Sequence, residues 1–229
     1  MSTPLWPPGY RINPRVAAPS AGLIDAFHSV PAAHASDCLG RSVGGLGLTA
    51  YHGNPGLVLC GPAITVRVRP GDNLMIHKAI SMAEPGDVIV IDGSGDLTQA
   101  LIGGLIRTTA MTRKIAGFVV YGAVRDLAEW AEGGIACYAS GHTHRGPSKD
   151  GPGEVNVPIA CAGMSVSPGD LILGDADGVL SIPAAELEAL LPRVRAHAAK
   201  EDKIRAENMT GTSDPERFNS ILRAKGCPV

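Results

Sequence analysis

Two runs constrain this chain most, Val88–Ile91 and Ile115–Tyr121. Both are almost continuously apolar and rich in β-branched residues, with no polar residue at alternate positions. A strand with one face in water alternates, whereas a strand covered on both faces does not. Each run therefore predicts a strand inside a sheet that has packed layers on both sides. The first leaves the sheet through Asp92-Gly-Ser-Gly-Asp96. The second leaves through Gly122 onto the adjacent charges Arg125 and Asp126. Glycine permits a sharp exit, and ligands of α/β proteins gather at strand ends of this kind. Taken alone, the pair reads either as a ligand corner, with an arginine for an anion and an aspartate for a divalent cation, or as a surface ion pair opening a short helix.

The rest of the chain supplies the covering layers. Gly22–His28 and a segment after Pro31 predict two short helices, with Pro31 at a first helical position. Gly44–Leu48 reads as loop. Leu57–Cys60 and Ala63–Val68 predict two strands, and Asn73 is placed to cap a helix through Leu74, Met75, Ile76 and Ile80 to Ala83. Further strands are expected at Ile135–Ser140, Val155–Ile159, Met164–Val166, Leu171–Leu173 and Val179–Ile182. A long amphipathic helix, bent at Pro192, is expected from Pro183 to about Asn208. The fold class is therefore α/β, with a mixed central sheet covered by helices. Residues 1–20 read as an extended N-terminal arm, 21–209 as the folded domain and 210–229 as a tail.

Composition excludes several classes of function. Of 229 residues, 45% are hydrophobic and 18% charged, with a net charge of −2, so nothing favours nucleic acid or an anionic membrane as partner. No apolar run is long enough to span a bilayer. The five cysteines are odd in number and include no C-x-x-C, which argues against a zinc ribbon or a disulfide framework and suits a reducing cytoplasm.

Local motifs add little. Asp92-Gly-Ser-Gly-Asp96 has Thr98 where a dinucleotide fingerprint needs its third glycine, and no acidic residue ends the next strand. Asp175–Gly178 is too short for a calcium loop. His142 and His144 lie at strand spacing without an evident third ligand, so a structural or supporting role is expected. His77 reads as a core histidine, and Asp92, Asp96 and Asp175 as turn caps. Gly103-Gly104 is a poor choice inside a helix unless the helix begins there and aims free N–H groups at an anion, or packs closely on the sheet.

Twenty residues separate Gly104 from Arg125-Asp126, and Glu129 follows after two more. This pattern resembles the signature of the class II pyruvate aldolases of the RraA-like superfamily. Gly71–Lys78, Gly86–Asp92, Thr143–Pro147 and Pro168–Val179 match as well, so the likeness covers roughly residues 20–205. It implies the RraA-like layered fold, assembled as a trimer or hexamer with sites at subunit interfaces. The activity it implies is cleavage of 4-hydroxy-2-oxo acids, such as 4-hydroxy-4-methyl-2-oxoglutarate and 4-carboxy-4-hydroxy-2-oxoadipate, to pyruvate and a second 2-oxo acid. Oxaloacetate decarboxylation would accompany it.

Either a lysine Schiff base or a divalent metal can stabilise the pyruvate enolate. Lys78 is the one lysine in a candidate site stretch, and the oxygen-rich residue set favours Mg²⁺ or Mn²⁺. The resemblance carries the metal to Asp126 and the substrate's oxo or carboxylate oxygens to Arg125. Backbone N–H groups around Gly103, Gly104, Leu105 and Ile106 would grip the carboxylate, with Asn73 adding a polar contact. Glu201 is the nearest candidate for a carboxylate that reaches a neighbouring subunit's metal waters, with Asp202 and Glu207 as alternatives. Some relatives carry Asp where this chain has Gly104, which leaves the proton-transfer group unassigned. The same superfamily includes non-enzymatic regulators of ribonuclease E, the alternative reading. A methyltransferase would need a nucleoside-binding glycine loop, which the chain lacks.

Overall fold

The computed structural model describes residues 6–212, 214 and 216–229. Its first elements are β1 (Tyr10–Ile12), α1 (Ala21–Phe27), α2 (Ala32–Cys38), β2 (Thr49–Ala50), β3 (Leu59–Val68) and α3 (Leu74–Met82). The central part runs β4 (Val88–Asp92), β5 (Ala100–Ile102), α4 (Gly104–Thr112), β6 (Gly117–Val124), α5 (Leu127–Ala131) and β7 (Ala136–His142). Then come β8 (Gly153–Val155), β9 (Ile159–Cys161), β10 (Met164–Val166), β11 (Leu171–Asp175), β12 (Gly178–Ile182), α6 (Leu187–Thr210) and α7 (Glu216–Ala224).

Among the described residues, ten strands form one mixed sheet whose main path is β1-β8-β3-β4-β6-β7-β2. Its centre, β3-β4-β6-β7, is parallel, and β8 and β11 pair antiparallel with β3. The two runs that open the sequence argument are its middle strands. Along β4, Ile89 and Ile91 enter the core beneath the site helices, while Val88 and Val90 enter the core on the other face. Phe118 and Val120 of β6 divide from Val119 in the same way. Each fully buried aliphatic side chain contributes about 1.5–3 kcal/mol relative to exposure. This face-to-face partition is why neither run alternates. A third core joins α1, α2 and α6 to β11 and β12 through Phe27, Leu171, Leu180 and Leu190.

Several local expectations change in the structure. Leu59 and Cys60 of the first expected strand and the whole of Ala63–Val68 belong to one strand, β3, which passes through Gly61-Pro62 by changing partners, while Leu57 and Val58 lie before it. Leu59–Pro62 pair with β11, and Ala63–Arg67 pair with β4. Gly61 is required there, because a Cβ would overlap the Gly86 carbonyl oxygen. The strand expected at 155–159 breaks into β8 and β9 at Asn156, which is left-handed with φ 54°. Pro31 is the N-cap of α2 rather than its first residue. Pro192 lies inside α6 without ending it.

Asn73 occupies the N-cap position of α3 but makes no capping hydrogen bond. Asp72 takes that role, its Oδ1 accepting from the Leu74 N–H at 3.0 Å. The arm is also more than a loose extension. Tyr10–Ile12 add a parallel edge strand beside β8, and Arg15 holds the buried Asp87 carboxylate with bonds of 2.8 and 2.7 Å.

Candidate functional site

The corner is built by β5, β6 and the two helices that follow them. The Arg125 N–H donates to the Ile102 carbonyl at 3.0 Å, and the Trp130 indole donates to the Arg125 carbonyl at 2.9 Å. Arg125 is thus fixed from both sides. Asp126 then turns left-handed, φ 60° and ψ 47°, as the N-cap of α5. Such a conformation costs a non-glycine residue of order 1–3 kcal/mol, although aspartate tolerates it better than most.

The turn swings the Asp126 carboxylate onto the start of α4. Its Oδ2 accepts from the Gly104 N–H at 2.8 Å and lies 3.6 Å from Arg125 Nε. A Cβ at Gly103 would overlap Asp126 Oδ2 and come 2.8 Å from Arg125 Cγ. A Cβ at Gly104 would overlap the Glu129 carboxylate. The paired glycines therefore admit two carboxylates to one helix N-terminus. The helix does begin at the pair, with Gly103 as N-cap.

One expectation is modified by this geometry. The Gly104 N–H is taken by Asp126, so the free N–H groups of the first turn are those of Leu105 and Ile106. These residues line a cleft of about 100 Å³ together with Asn73, His77, Arg125 and Lys149. Asn73 donates to the Leu101 carbonyl at 3.0 Å, while its buried Oδ1 has no hydrogen-bond partner among the described residues. An unpartnered buried amide oxygen in a cleft wall is suited to a donor on a ligand. Gly146, on the loop after β7, makes room for the guanidinium, since a Cβ there would come 2.9 Å from Arg125 Nη1.

The structure also places residues that local sequence reasoning assigns otherwise or passes over. His77 is exposed at the cleft, not a core histidine. Although the residue is open to solvent, the cleft wall partly desolvates its ring, and with the nearby Lys149 charge this holds its pKa below the ordinary imidazole value, which favours the neutral form. Lys149 carried no local signal, because only the fold brings the loop before β8 to α3. Lys78 is exposed and outside the cleft lining, so it lacks the desolvation that a Schiff-base lysine needs. His142 and His144 line a second cleft, which Arg125 and Asp126 also line. Glu201 is held within its own chain by His34 at 3.0 Å and His197 at 3.1 Å. Asp92 and Asp175 do serve turns, accepting from the backbone N–H groups of Ser94 and Asp177.

The Asp126 corner suits a hard divalent cation. Asp126 Oδ1 and the Glu129 carboxylate have no hydrogen-bond or ion-pair partner among the described residues, and carboxylate oxygens are the ligands Mg²⁺ and Mn²⁺ prefer.

A mixed sheet, parallel at its centre and covered on both faces, with an arginine, two carboxylates and a helix N-terminus gathered at one strand exit, defines a layered α/β class of protein. The chain belongs to the RraA-like family, described as Aldolase/RraA, which it matches over residues 21–181. It is 41% identical over 179 residues, 78% of this chain and 85% of the relative, to a Halalkalibacterium halodurans protein that carries a provisional name as 4-hydroxy-4-methyl-2-oxoglutarate aldolase. A Thermus thermophilus protein named 4-hydroxy-4-methyl-2-oxoglutarate aldolase is 40% identical over 49% of this chain and 68% of its own. Among solved structures, Streptomyces coelicolor RraAS2, described as an unusual member of the RNase ES inhibitor RraA protein family, superposes with a TM-score of 0.76. It is 26% identical, and the match covers 83% of this chain and 98% of that one. No helix among the described residues is long and apolar enough to cross a membrane.

Proposed function

We propose that this protein is a divalent-metal-dependent aldolase that cleaves 4-hydroxy-2-oxo acids to pyruvate and a second 2-oxo acid. The observation that carries this reading is the convergence of Arg125, Asp126 and Glu129 on the Gly103-Gly104 start of α4. The named aldolases among the relatives support it.

In this reading the substrate's carboxylate sits on the Leu105 and Ile106 N–H groups at the positive end of α4. Arg125, pinned by Ile102 and Trp130, faces the 2-oxo oxygen, where charge develops as the bond between C3 and C4 breaks. Asn73 Oδ1 accepts from the C4 hydroxyl while that group keeps its proton. Glu129 then takes the hydroxyl proton. The C4–O electrons form the new carbonyl, the C3–C4 pair passes into the enolate, and a proton delivered to C3 gives pyruvate. Asp126 would hold the Mg²⁺ or Mn²⁺, which supplies Lewis-acid stabilisation of the enolate oxygen when bound. Glu201 is engaged by its own histidines, so the assignment rests on Asp126.

Oxaloacetate would lose CO₂ through the same enolate. A trimer or hexamer with sites at its interfaces belongs to this reading. The apolar side chains of α7, Phe218, Ile221 and Leu222, support it, because each stays exposed among the described residues. The test is pyruvate release from 4-carboxy-4-hydroxy-2-oxoadipate and from oxaloacetate, with Mg²⁺, with Mn²⁺ and with chelator, beside Asp126→Asn. Metal-dependent turnover lost in the variant is the expected result. No turnover with either metal would overturn the reading in favour of a ribonuclease regulator, the role that the Streptomyces neighbour's name carries.

A further inference from the structure

A second donor cluster lies between α2 and α6 and shares no residue with the cleft. His34 and Asp37 are three apart on α2, and His197 and Glu201 are four apart on α6, so each pair shares a helix face. The two faces meet. His197 Nε2 lies 3.1 Å from Glu201 Oε1 and 3.3 Å from Asp37 Oδ2. Glu201 Oε2 lies 3.0 Å from His34 Nε2. One ligand atom from each of Asp37, His197 and Glu201 falls within 4.8 Å of the others. All four side chains are partly buried, with 18% to 37% of each exposed, so an ion could enter while the site stays partly desolvated.

Hydrogen bonding alone accounts poorly for this convergence. The Nε2 of His197 can carry only one proton, yet two carboxylates face that atom. Asp37 and Glu201 bring like charges to the same ring nitrogen. Asp37 is partly relieved by Arg41, whose Nε is 3.1 Å away but whose side chain is 74% exposed, where screening leaves such a pair little strength. By contrast, ligand bonds of about 2.1 Å in a tetrahedral shell place neighbouring ligand atoms about 3.4 Å apart. The 3.1 and 3.3 Å separations around His197 Nε2 are close to that edge.

We propose that Asp37, His197 and Glu201 form a binding site for a divalent first-row transition ion, with Zn²⁺ as the type, and that His34 orients Glu201 by donating to its second oxygen. The imidazole selects such an ion over Mg²⁺, and the two carboxylates balance its charge. A histidine donating to a ligating carboxylate is a common outer support of a metal site. The ion would tie α2 to α6 on the layer behind the sheet, so the site adds a structural metal to the chain and does not depend on the aldolase reading.

The experiment is calorimetry with Zn²⁺, and visible absorption with Co²⁺, on the full chain in excess Mg²⁺. Wild type is compared with Asp126→Asn, His197→Gln, Asp37→Asn and His34→Ala, with circular dichroism verifying the fold of each. The expected result is one transition ion per chain, kept in Asp126→Asn and lost in both His197→Gln and Asp37→Asn. In His34→Ala, binding should weaken by about 10–100-fold. Zn²⁺ should raise the thermal midpoint of wild type and leave that of His197→Gln unchanged. The proposal is overturned if no transition ion binds, if binding survives in both His197→Gln and Asp37→Asn, or if Asp126→Asn alone removes it.

Discussion

Replacing Gly104 with alanine separates stability from catalysis at this site. The new Cβ would overlap the Glu129 carboxylate, the far end of a flexible and exposed side chain, and its backbone is not in the left-handed region. The carboxylate can swing into water at little cost. Alanine is also favoured over glycine in a helix by up to about 1 kcal/mol, and by less at this first position. Folding stability should therefore hold or rise slightly, which for a chain of this size means a shift in Tm of roughly 0 to +4 °C. Catalysis should respond differently. If Glu129 takes the C4 hydroxyl proton, expelling its carboxylate removes a contribution of about 10²–10⁴ in rate. The assay is kcat and KM for pyruvate release, with Tm measured on the same preparations and Glu129→Gln as reference. Both variants should lose kcat far more than they raise KM. If Gly104→Ala folds and keeps wild-type kcat, Glu129 is not the proton-transfer group. A large loss of stability would refute the claim that the carboxylate yields freely.

Three further outcomes follow from packing and burial. Arg15→Ala leaves the Asp87 carboxylate, 1% exposed, with the Glu84 N–H as its remaining hydrogen-bond donor. Allowing for the partial exposure of Arg15, denaturant unfolding should show a loss of about 2–3 kcal/mol, and a loss under about 0.5 would mean that the arm is not anchored there. Burial holds the His52 pKa below its ordinary 6.5, partly opposed by its bond to Cys137. The unfolded chain therefore takes up this proton at higher pH than the folded one. The stabilisation is present above the unfolded value of 6.5 and is lost as pH falls through the lower folded value, so Tm should drop as pH falls below 6.5, and less steeply in His52→Gln. Burial also pushes the Cys60 and Cys161 thiols up to about 12, and that of Cys137 further still. A thiol reagent at about pH 8 should label the exposed Cys227 first and the half-buried Cys38 more slowly. Labelling of the three buried thiols should require unfolding, and their early modification would contradict the core assignment.

What could be read from the chain followed from physics that acts along it. Uninterrupted β-branched runs marked Val88–Ile91 and Ile115–Tyr121 as strands covered on both faces, because side-chain alternation is a local property. The glycine pair and the charged corner were visible as unusual residues at element ends. Partner choice was not visible. Gly61-Pro62 reads as a break in any local view, yet β3 continues because β11 and β4 take up successive halves of it. The capping residue of α3 shifted from Asn73 to Asp72 because the Leu101 carbonyl, distant in sequence, draws the Asn73 amide away.

The sequence by itself determined the fold class, the family and the residue types at the strand exit. Only the tertiary structure decided how those residues are used. It closed Asp126 onto Gly104, placed Glu129 over the second glycine and brought Lys149 and His77 to the same cleft. It also drew Glu201 into a cluster with His34 and His197. Each of these depends on where separate elements come to rest against the sheet, and contacts across such distances leave no trace in local spacing.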